Sequence, residues 1–433
     1  MVSGVIIQLV SCSPEDQYLT GNPEITHFKS IYRKNSHFAI ETIEEEFKNA
    51  FKLKQFTCKS TINQRMSCKL SKKGDLLKDI ILELDIIKPV LQNSEGLVKR
   101  PGLAIIDYVE LEIGGVVVQK LTGEWIDIYY QMSSNFNRYS KLEYLINGSL
   151  YHYNICNNII KFYIPLPFFF TKDIGLSLPI LLLQHNQVVI HINFKSDTSI
   201  LKLNNNTTII NRPEIENVKL LCDYIFLHTN EKKCFYKSTK DYIIEQIQYS
   251  PNNEFLSNVP LVNIDLNFNH PCKELVWICQ DNWNLVQNAI SPEFGEYNPF
   301  CYSAGNNFDN SCIKTGGDII NNVELLLNNV KRFKKRHSSY FKIVQAYQHH
   351  EGLFYNNKLN NEERGYIYSY SFALNPDNSE PSGTCNFSRV SNAKLILSIN
   401  NKLIQGNKFY IRVFAVNYNV LHFENGMGFL IYK

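Results

Sequence analysis

Chemistry on a protein surface needs particular side chains at particular spacings, and this chain holds few such groupings. The densest is His349-His350-Glu351, at the end of a tyrosine-rich segment read as a strand. Adjacent side chains on a strand point to opposite faces, so this pair is badly placed to chelate one ion. A metal-binding β-sandwich would need two histidines one residue apart, then a carboxylate and a further histidine; His191, within Val188–Phe194, stands alone. Glu44-Glu45-Glu46 and Glu362-Glu363 could supply paired carboxylates for general acid and base work, but both lie in charge runs of the kind that face solvent. There is no GxSxG elbow, phosphate-binding P-loop or GxGxxG turn. The 11 cysteines include no CxxC pair, so a structural zinc site has no ligand spacing to rest on. No catalytic residue, metal ligand or cofactor is assigned.

Two other features concern partners and modification. Lys331-Arg332-Phe333-Lys334-Lys335-Arg336-His337 is the sharpest local charge. A solvated loop, or an inter-subunit contact balanced by acidic residues, is favoured over nucleic acid or an acidic membrane-proximal partner. The whole-chain balance agrees: 44 Lys+Arg against 41 Asp+Glu leaves a net charge of +3, no field that would draw in DNA or an anionic membrane. Asn147, Asn205, Asn206 and Asn386 each open an Asn-x-Ser/Thr triplet and are the candidate glycosylation sites.

The elements that must carry these residues are mostly strands. At 433 residues the chain exceeds the roughly 250–300 that one core organises, so two domains are expected. Its 44% hydrophobic and 13% aromatic content supplies packed cores and is unlike a disordered chain. Period two dominates: Ile80, Leu82, Leu84 and Ile86 face one way, with Glu83 and Asp85 on the other face. Val109, Leu111 and Ile113 alternate with Glu110 and Glu112 before Gly114-Gly115, a hairpin turn into Val116–Leu121. Further alternating strands are read at Val188–Phe194, Tyr366–Leu374 and Tyr410–Tyr418. The best helix is Gly123–Met132, with Trp125, Ile128, Tyr129 and Met132 on one face, expected to cap one end of a sandwich. Asp318–Val330 fits helix or strand. Strand is preferred because Val323–Asn329 echoes Val109–Gly115, and matching loops and strands recur around Phe170–Pro179 and Phe372–Gly383. Two copies of one all-β unit, each large enough for an eight-stranded jelly roll, follow. The apolar stretch Ile164–Gln184 is broken by Lys172, Asp173 and three prolines and does not read as a membrane span, and Met1–Cys12 lacks the basic region of a signal peptide.

Several blocks carry a more specific likeness. Asp16-Gln17-Tyr18-Leu19-Thr20-Gly21-Asn22-Pro23-Glu24-Ile25-Thr26-His27-Phe28-Lys29 closely resembles the amino-terminal signature of the major capsid proteins of nucleocytoplasmic large DNA viruses. Glu112–Gly115 with Gly123-Glu124-Trp125, Pro165–Pro179 and Asp223–Leu227 are similar to later blocks of its first half. Asn269–Trp277, Tyr347–His350, Pro381–Arg389 and Asn417–Gly428 are similar to blocks of its second. The chain departs from the pattern at Glu231-Lys232-Lys233-Cys234-Phe235 and at Asn328-Asn329, where Asn-Gly is usual.

The resemblance implies an all-β double jelly roll: two consecutive eight-stranded antiparallel sandwiches with long surface loops and few short helices. The expected division is an N-terminal arm at 1–26, a first jelly roll at 27–240 and a second at 241–433. It implies a non-enzymatic virion protein forming a homotrimer of pseudo-hexagonal outline that tiles an icosahedral capsid. The partners implied are neighbouring capsomers and minor capsid and penton proteins, with no direct specific nucleic-acid binding. The inner membrane is contacted only through minor proteins, and assembly takes place in the host cytoplasm. The alternatives are a minor capsid paralogue of the same fold, or a glycan-binding jelly roll suggested by aromatics at Phe294–Tyr302 and Phe354-Tyr355. The dispersed cysteines suit reduced thiols. Thiol titration of denatured, unreduced protein is expected to approach all 11 cysteines; a single free thiol would reverse that reading.

Overall fold

Alternating apolar residues favour strands because a period of two sends one side-chain set to the core and the next to a different environment. The computed structural model describes residues 22, 36–47, 65–92, 97–98, 100–146, 159–201, 208–237, 239–281, 300, 302, 318–352, 366–400 and 408–432. Two units are distinguished, Met1–Phe38 and Ala39–Lys433, and the fold below is that of the second. Apart from Asn22, the expected arm at 1–26 lies outside the described residues.

The first set of principal strands is β1 (Phe38–Glu46), β2 (Arg65–Lys69), β3 (Leu76–Ile87), β4 (Ile106–Ile113), β5 (Val116–Thr122), β6 (Ile159–Pro165), β7 (Val188–Phe194) and β8 (Glu214–Leu227). The second is β9 (Lys240–Tyr249), β10 (Leu261–Asp265), β11 (Pro271–Asp281), β12 (Ile320–Leu327), β13 (Val330–Lys331), β14 (Tyr368–Ser371), β15 (Ala393–Ile399) and β16 (Lys408–Glu424). Hydrogen bonding orders the first set as β1-β8-β3-β6 and β2-β7-β4-β5, and the second as β9-β16-β11-β14 and β10-β15-β12-β13. Every strand of the second set thus occupies the place of its counterpart in the first. The fold is two jelly rolls in series, with few and short helices.

Local sequence explains the turns. In the β4–β5 hairpin Gly114 and Gly115 have φ of 60° and 87°, the left-handed values a tight primed turn requires. The corresponding turn between β12 and β13 uses Asn328 and Asn329 at φ 52° and 64°. Asparagine tolerates this region, and Asn328 Oδ1 accepts from Ser391 N at 2.9 Å, tying the turn to the loop before β15. The sequence echo between Val109–Gly115 and Val323–Asn329 therefore falls on equivalent strands, and the ambiguous segment is a strand. Helix α1 (Gly123–Ser133) starts where Thr122 Oγ1 accepts from Trp125 N at 3.1 Å. Gly123 is needed there for space, since a Cβ would come within 2.6 Å of the Ile106 and Leu103 carbonyl oxygens.

Two expectations change. The tyrosine-rich strand read over 366–374 is only Tyr368–Ser371, because Phe372 N and Ala373 N both turn back to donate to Lys273 O. His349-His350-Glu351 ends the helical segment Gln345–His349, not a strand. The sheets enclose two large apolar clusters. One fills the second sandwich around Trp277, which stacks on Tyr368 with ring centroids 6.0 Å apart. The other fills the first sandwich and continues without a break onto Val276, Ile278, Phe414 and Val416 of β11 and β16.

Candidate functional site: the seam between the two sandwiches

That continuity makes the β9-β16-β11-β14 sheet buried on both faces. Along β16, Phe409, Ile411, Val413 and Ala415 point into the second sandwich, while Phe414 and Val416 point at the first. Period two alone puts neighbours on opposite faces; what is unusual is that both faces are apolar, as in sheets covered on each side.

Helix α1 is the main element between the sandwiches. Expected to cap one end of a sandwich, it is instead buried nearly all round, and only Tyr129 and Ser133 are half-exposed. Trp125 packs against Phe414 with ring centroids 5.2 Å apart. Beside it, Glu124 pairs with Arg412, whose Nε also donates to Asn252 Oδ1 at 2.7 Å. The edge strand β5 is covered by β9, and Gln246 Nε2 donates to the otherwise unpaired edge at Val118 O, 2.6 Å away. Further along, His185 N and Asn186 Nδ2 donate to Gly426 O and Gly428 O at 2.9 and 2.8 Å.

A chain of charges crosses the same seam. Glu245 on β9 accepts from Lys172, in the helical turn Phe169–Lys172 of the first sandwich, and from Lys273 on β11. Lys172 lies 4.7 Å from the Tyr129 ring centroid. Next to Lys273, His350 Nδ1 meets Asp377 Oδ1 at 2.9 Å and its Nε2 faces Glu274 Oε2 at 3.4 Å. Burial would raise the Glu245 carboxyl, but Lys172 and Lys273 outweigh it and hold the group below its ordinary range. For His350, burial works against the charge, yet the Asp377 hydrogen bond and the Glu274 and Asp377 charges leave its value raised. Glu274 is also raised, by burial that His350 and Lys273 only partly offset. A second buried pair fixes α1 to its own sandwich: Arg100 Nη1 is 2.8 Å from Asp127 Oδ1, and Asp127 Oδ2 accepts from Gln131 Nε2 and Tyr302 OH at 2.7 and 3.1 Å.

The residues singled out in the sequence are scattered. His350 is in the charge cluster, whereas His349 Nδ1 faces Leu374 O at 3.0 Å, so the two histidines part as adjacent residues should. His191 sits between Ser67 Oγ and Glu112 Oε2 at 2.7 and 2.8 Å, a structural bridge on β7. Glu44 pairs with Lys219 at 2.9 Å while Glu45 turns inward to Ser71 and Tyr224, so these acids are not convergent. Glu362-Glu363, Asn147, Asn205 and Asn206 lie outside the described residues. Asn386 is exposed, and its side chain accepts from Ser388 N at 3.0 Å. Of the aromatics that suggested glycan binding, Phe300 and Tyr302 are buried, with Tyr302 on Asp127. Among the described residues no group of three or more His, Cys, Asp or Glu could hold a metal ion. Cys68, Cys222, Cys234, Cys272 and Cys385 are free thiols, and burial pushes Cys68 up to about 12.

Sequence reading missed Lys172, Glu245, Lys273 and Glu274 as a group. The available signal was single charges stranded in apolar strands, Lys273-Glu274 before Leu275–Cys279 above all. Glu245→Gln is expected to lower stability by about 3–5 kcal/mol, since it leaves two buried lysines without their counter-charge. Replacing Lys172, Glu245 and Lys273 together by Met, Leu and Met should restore most of it. The pH profile should fall on both sides. A depressed Glu245 contributes stability above about pH 4.3 and loses it as pH drops through its folded value. A raised His350 contributes below about pH 6.5 and loses it as pH rises through its folded value, with Glu274 acting in the same direction. Thermal melts across pH, with Glu245→Gln flattening only the acidic side, check both signs.

Residues 231–429 match a family described as large eukaryotic DNA virus major capsid protein, and residues 26–228 one described as major capsid protein N-terminus. The major capsid protein of Pyramimonas orientalis virus is 32% identical, and that of Paramecium bursaria Chlorella virus 1 is 30% identical, each alignment covering 100% of both chains. In structure the chain is similar to a subunit of the PBCV-1 virus capsid, with a TM-score of 0.71, 28% identity, and coverage of 94% of this chain and 100% of that one. The Faustovirus major capsid protein shares the fold at a TM-score of 0.70 and 10% identity, over 95% of this chain and 94% of that one. Two equivalent jelly rolls joined through an extensive buried seam, matched end to end by these relatives, place the chain in the major capsid protein family of large eukaryotic DNA viruses.

Proposed function

We propose that, in its structural role in the capsid, this chain assembles as a trimer of pseudo-hexagonal outline and that such trimers tile an icosahedral shell. The observation that carries the reading is the repeated strand order: three chains present six sandwiches of one kind, so threefold symmetry approaches sixfold. The division into an arm at 1–26 and jelly rolls at 27–240 and 241–433 fits this reading, with the second boundary at the start of β9. Subunit interfaces of the obligate class bury on the order of 2,000 Å² or more. A net charge of +3 lets many copies approach without large repulsion.

The role is non-enzymatic in this reading, and its support is positive: among the described residues His191, His350, Glu44 and Glu45, singled out as able to do chemistry, are engaged in the seam and in sheet contacts. Partners are neighbouring capsomers and minor capsid and penton proteins. The inner membrane is reached through minor proteins, nucleic acid is not bound specifically, and assembly occurs in the host cytoplasm. Asn386, together with Asn147, Asn205 and Asn206, is a candidate for glycosylation. Light scattering of the purified protein should give about three times the 50.3 kDa chain mass. A stable monomer at micromolar concentration would contradict the trimer.

A further inference from the structure

The equivalence of the two sandwiches has a consequence for the surface of the second. In the first sandwich the chain between strands five and six forms α1, and both α1 and the edge strand β5 are covered by the second sandwich's β9-β16-β11-β14 sheet. In the second sandwich the equivalent chain is the helical segment Tyr340–His349, and the equivalent edge is β13 with its continuation Arg336–His337 on β12. Among the described residues neither is covered in the same way.

The helical segment carries an apolar stripe on its outer side as well as on its inner one. Its inner side anchors it through Phe341, packed on Trp277 with ring centroids 5.3 Å apart, and through polar groups, with Lys342 Nζ on Asp318 at 2.9 Å and Gln345 Oε1 accepting from Ser371 N at 3.0 Å. Its outer side carries Ile343, Val344 and Tyr347, the last 88% exposed. A helix facing water normally keeps its outer side polar. Arg336 stacks on Tyr340 at 4.2 Å and so joins this apolar stripe to the basic edge. Along that edge Arg332, Lys334 and Lys335 are exposed and make no ion pair among the described residues. Lysine on an edge also discourages indiscriminate strand pairing, and a matched acidic surface is a cover that it favours.

Such a partner exists on the first sandwich. The β1-β8-β3-β6 sheet holds the place of the sheet that covers α1, and its outer side is acidic. Glu44 and Glu46 are exposed on this face of β1, and half-buried Asp79 with the more buried Glu83 and Asp85 follow on β3; Lys161 pairs with Glu83 and Asp85, and Lys219 with Glu44. Ile81 and Leu221 lie half-buried among them and Ile40 is exposed at the edge. A surface at one end of the chain and its complement at the other is the arrangement that closes a ring of identical copies head to tail. We propose that the basic edge at 331–336 and the apolar stripe Ile343, Val344 and Tyr347 of one copy dock on the acidic outer side of the β1–β8 sheet of the next.

This rests on the trimer reading above, and the test separates the two. The full-length protein is compared by light scattering with an R332E/K334E/K335E variant, an E44K/E46K variant, their five-fold combination, and Tyr347→Asp. Circular dichroism of each variant shows that its monomer is folded. Either charge variant alone, and Tyr347→Asp, should raise the concentration at which the trimer half-dissociates by at least about tenfold, and the combined charge swap should restore it. If the unaltered protein forms trimers and these variants dissociate no more readily, this surface is not the contact while the trimer stands. The surface is equally excluded if the swap fails to rescue two dissociating charge variants. A monomeric unaltered protein would remove both.

Discussion

One sheet with two buried faces organises this molecule. The β9-β16-β11-β14 sheet belongs to the second sandwich through Trp277, Val413 and Ala415, and to the seam through Val276, Phe414 and Val416. Because the same backbone serves both, the sandwiches cannot turn against each other without exposing apolar surface, at about 25 cal/mol for each Å². The charges placed in this seam have a different purpose. Buried ion pairs seldom add net stability over well-packed apolar residues, but they punish any arrangement that separates them. Lys172, Glu245 and Lys273 meet only when the first sandwich sits at one position along β9, so they set the register that the apolar contacts alone would leave loose.

The same logic makes duplication useful for a shell. A chain whose internal seam joins two equivalent sandwiches already contains one of the contacts a six-lobed ring needs, and the contact between copies can repeat its plan. The repetition is in topology and not in chemistry. Inside the chain the edge strand β5 is apolar and paired by Gln246, while the equivalent edge of the second sandwich is Lys- and Arg-rich. That difference is understandable, since an internal contact forms once during folding, whereas a surface contact must wait in water without binding the wrong partner.

Much of this architecture was legible in the sequence. The Gly114-Gly115 and Asn328-Asn329 turns mark equivalent hairpins because left-handed backbone leaves few residue choices. Helix α1 was legible from its apolar spacing, although spacing could not reveal that the remaining faces are buried too. The seam was illegible for a physical reason: alternation analysis looks for one polar face, and a sheet covered on both sides has none. Lys172 read only as an interruption of an apolar stretch, and Glu245 and Lys273 as stray charges, because their meeting depends on residues far apart in the chain. His349-His350 was assigned to a strand from neighbouring tyrosines, but the local backbone is helical up to His349.

In the proposed trimer the seam within a chain and the seam between chains follow one plan. A density map of the purified assembly, fine enough to show helices, tests it directly. Six sandwich-shaped lobes are expected, with Tyr340–His349 lodged between lobes of adjacent chains as α1 is lodged within each. A map in which that segment faces solvent, or in which each chain contributes a single lobe, would contradict it.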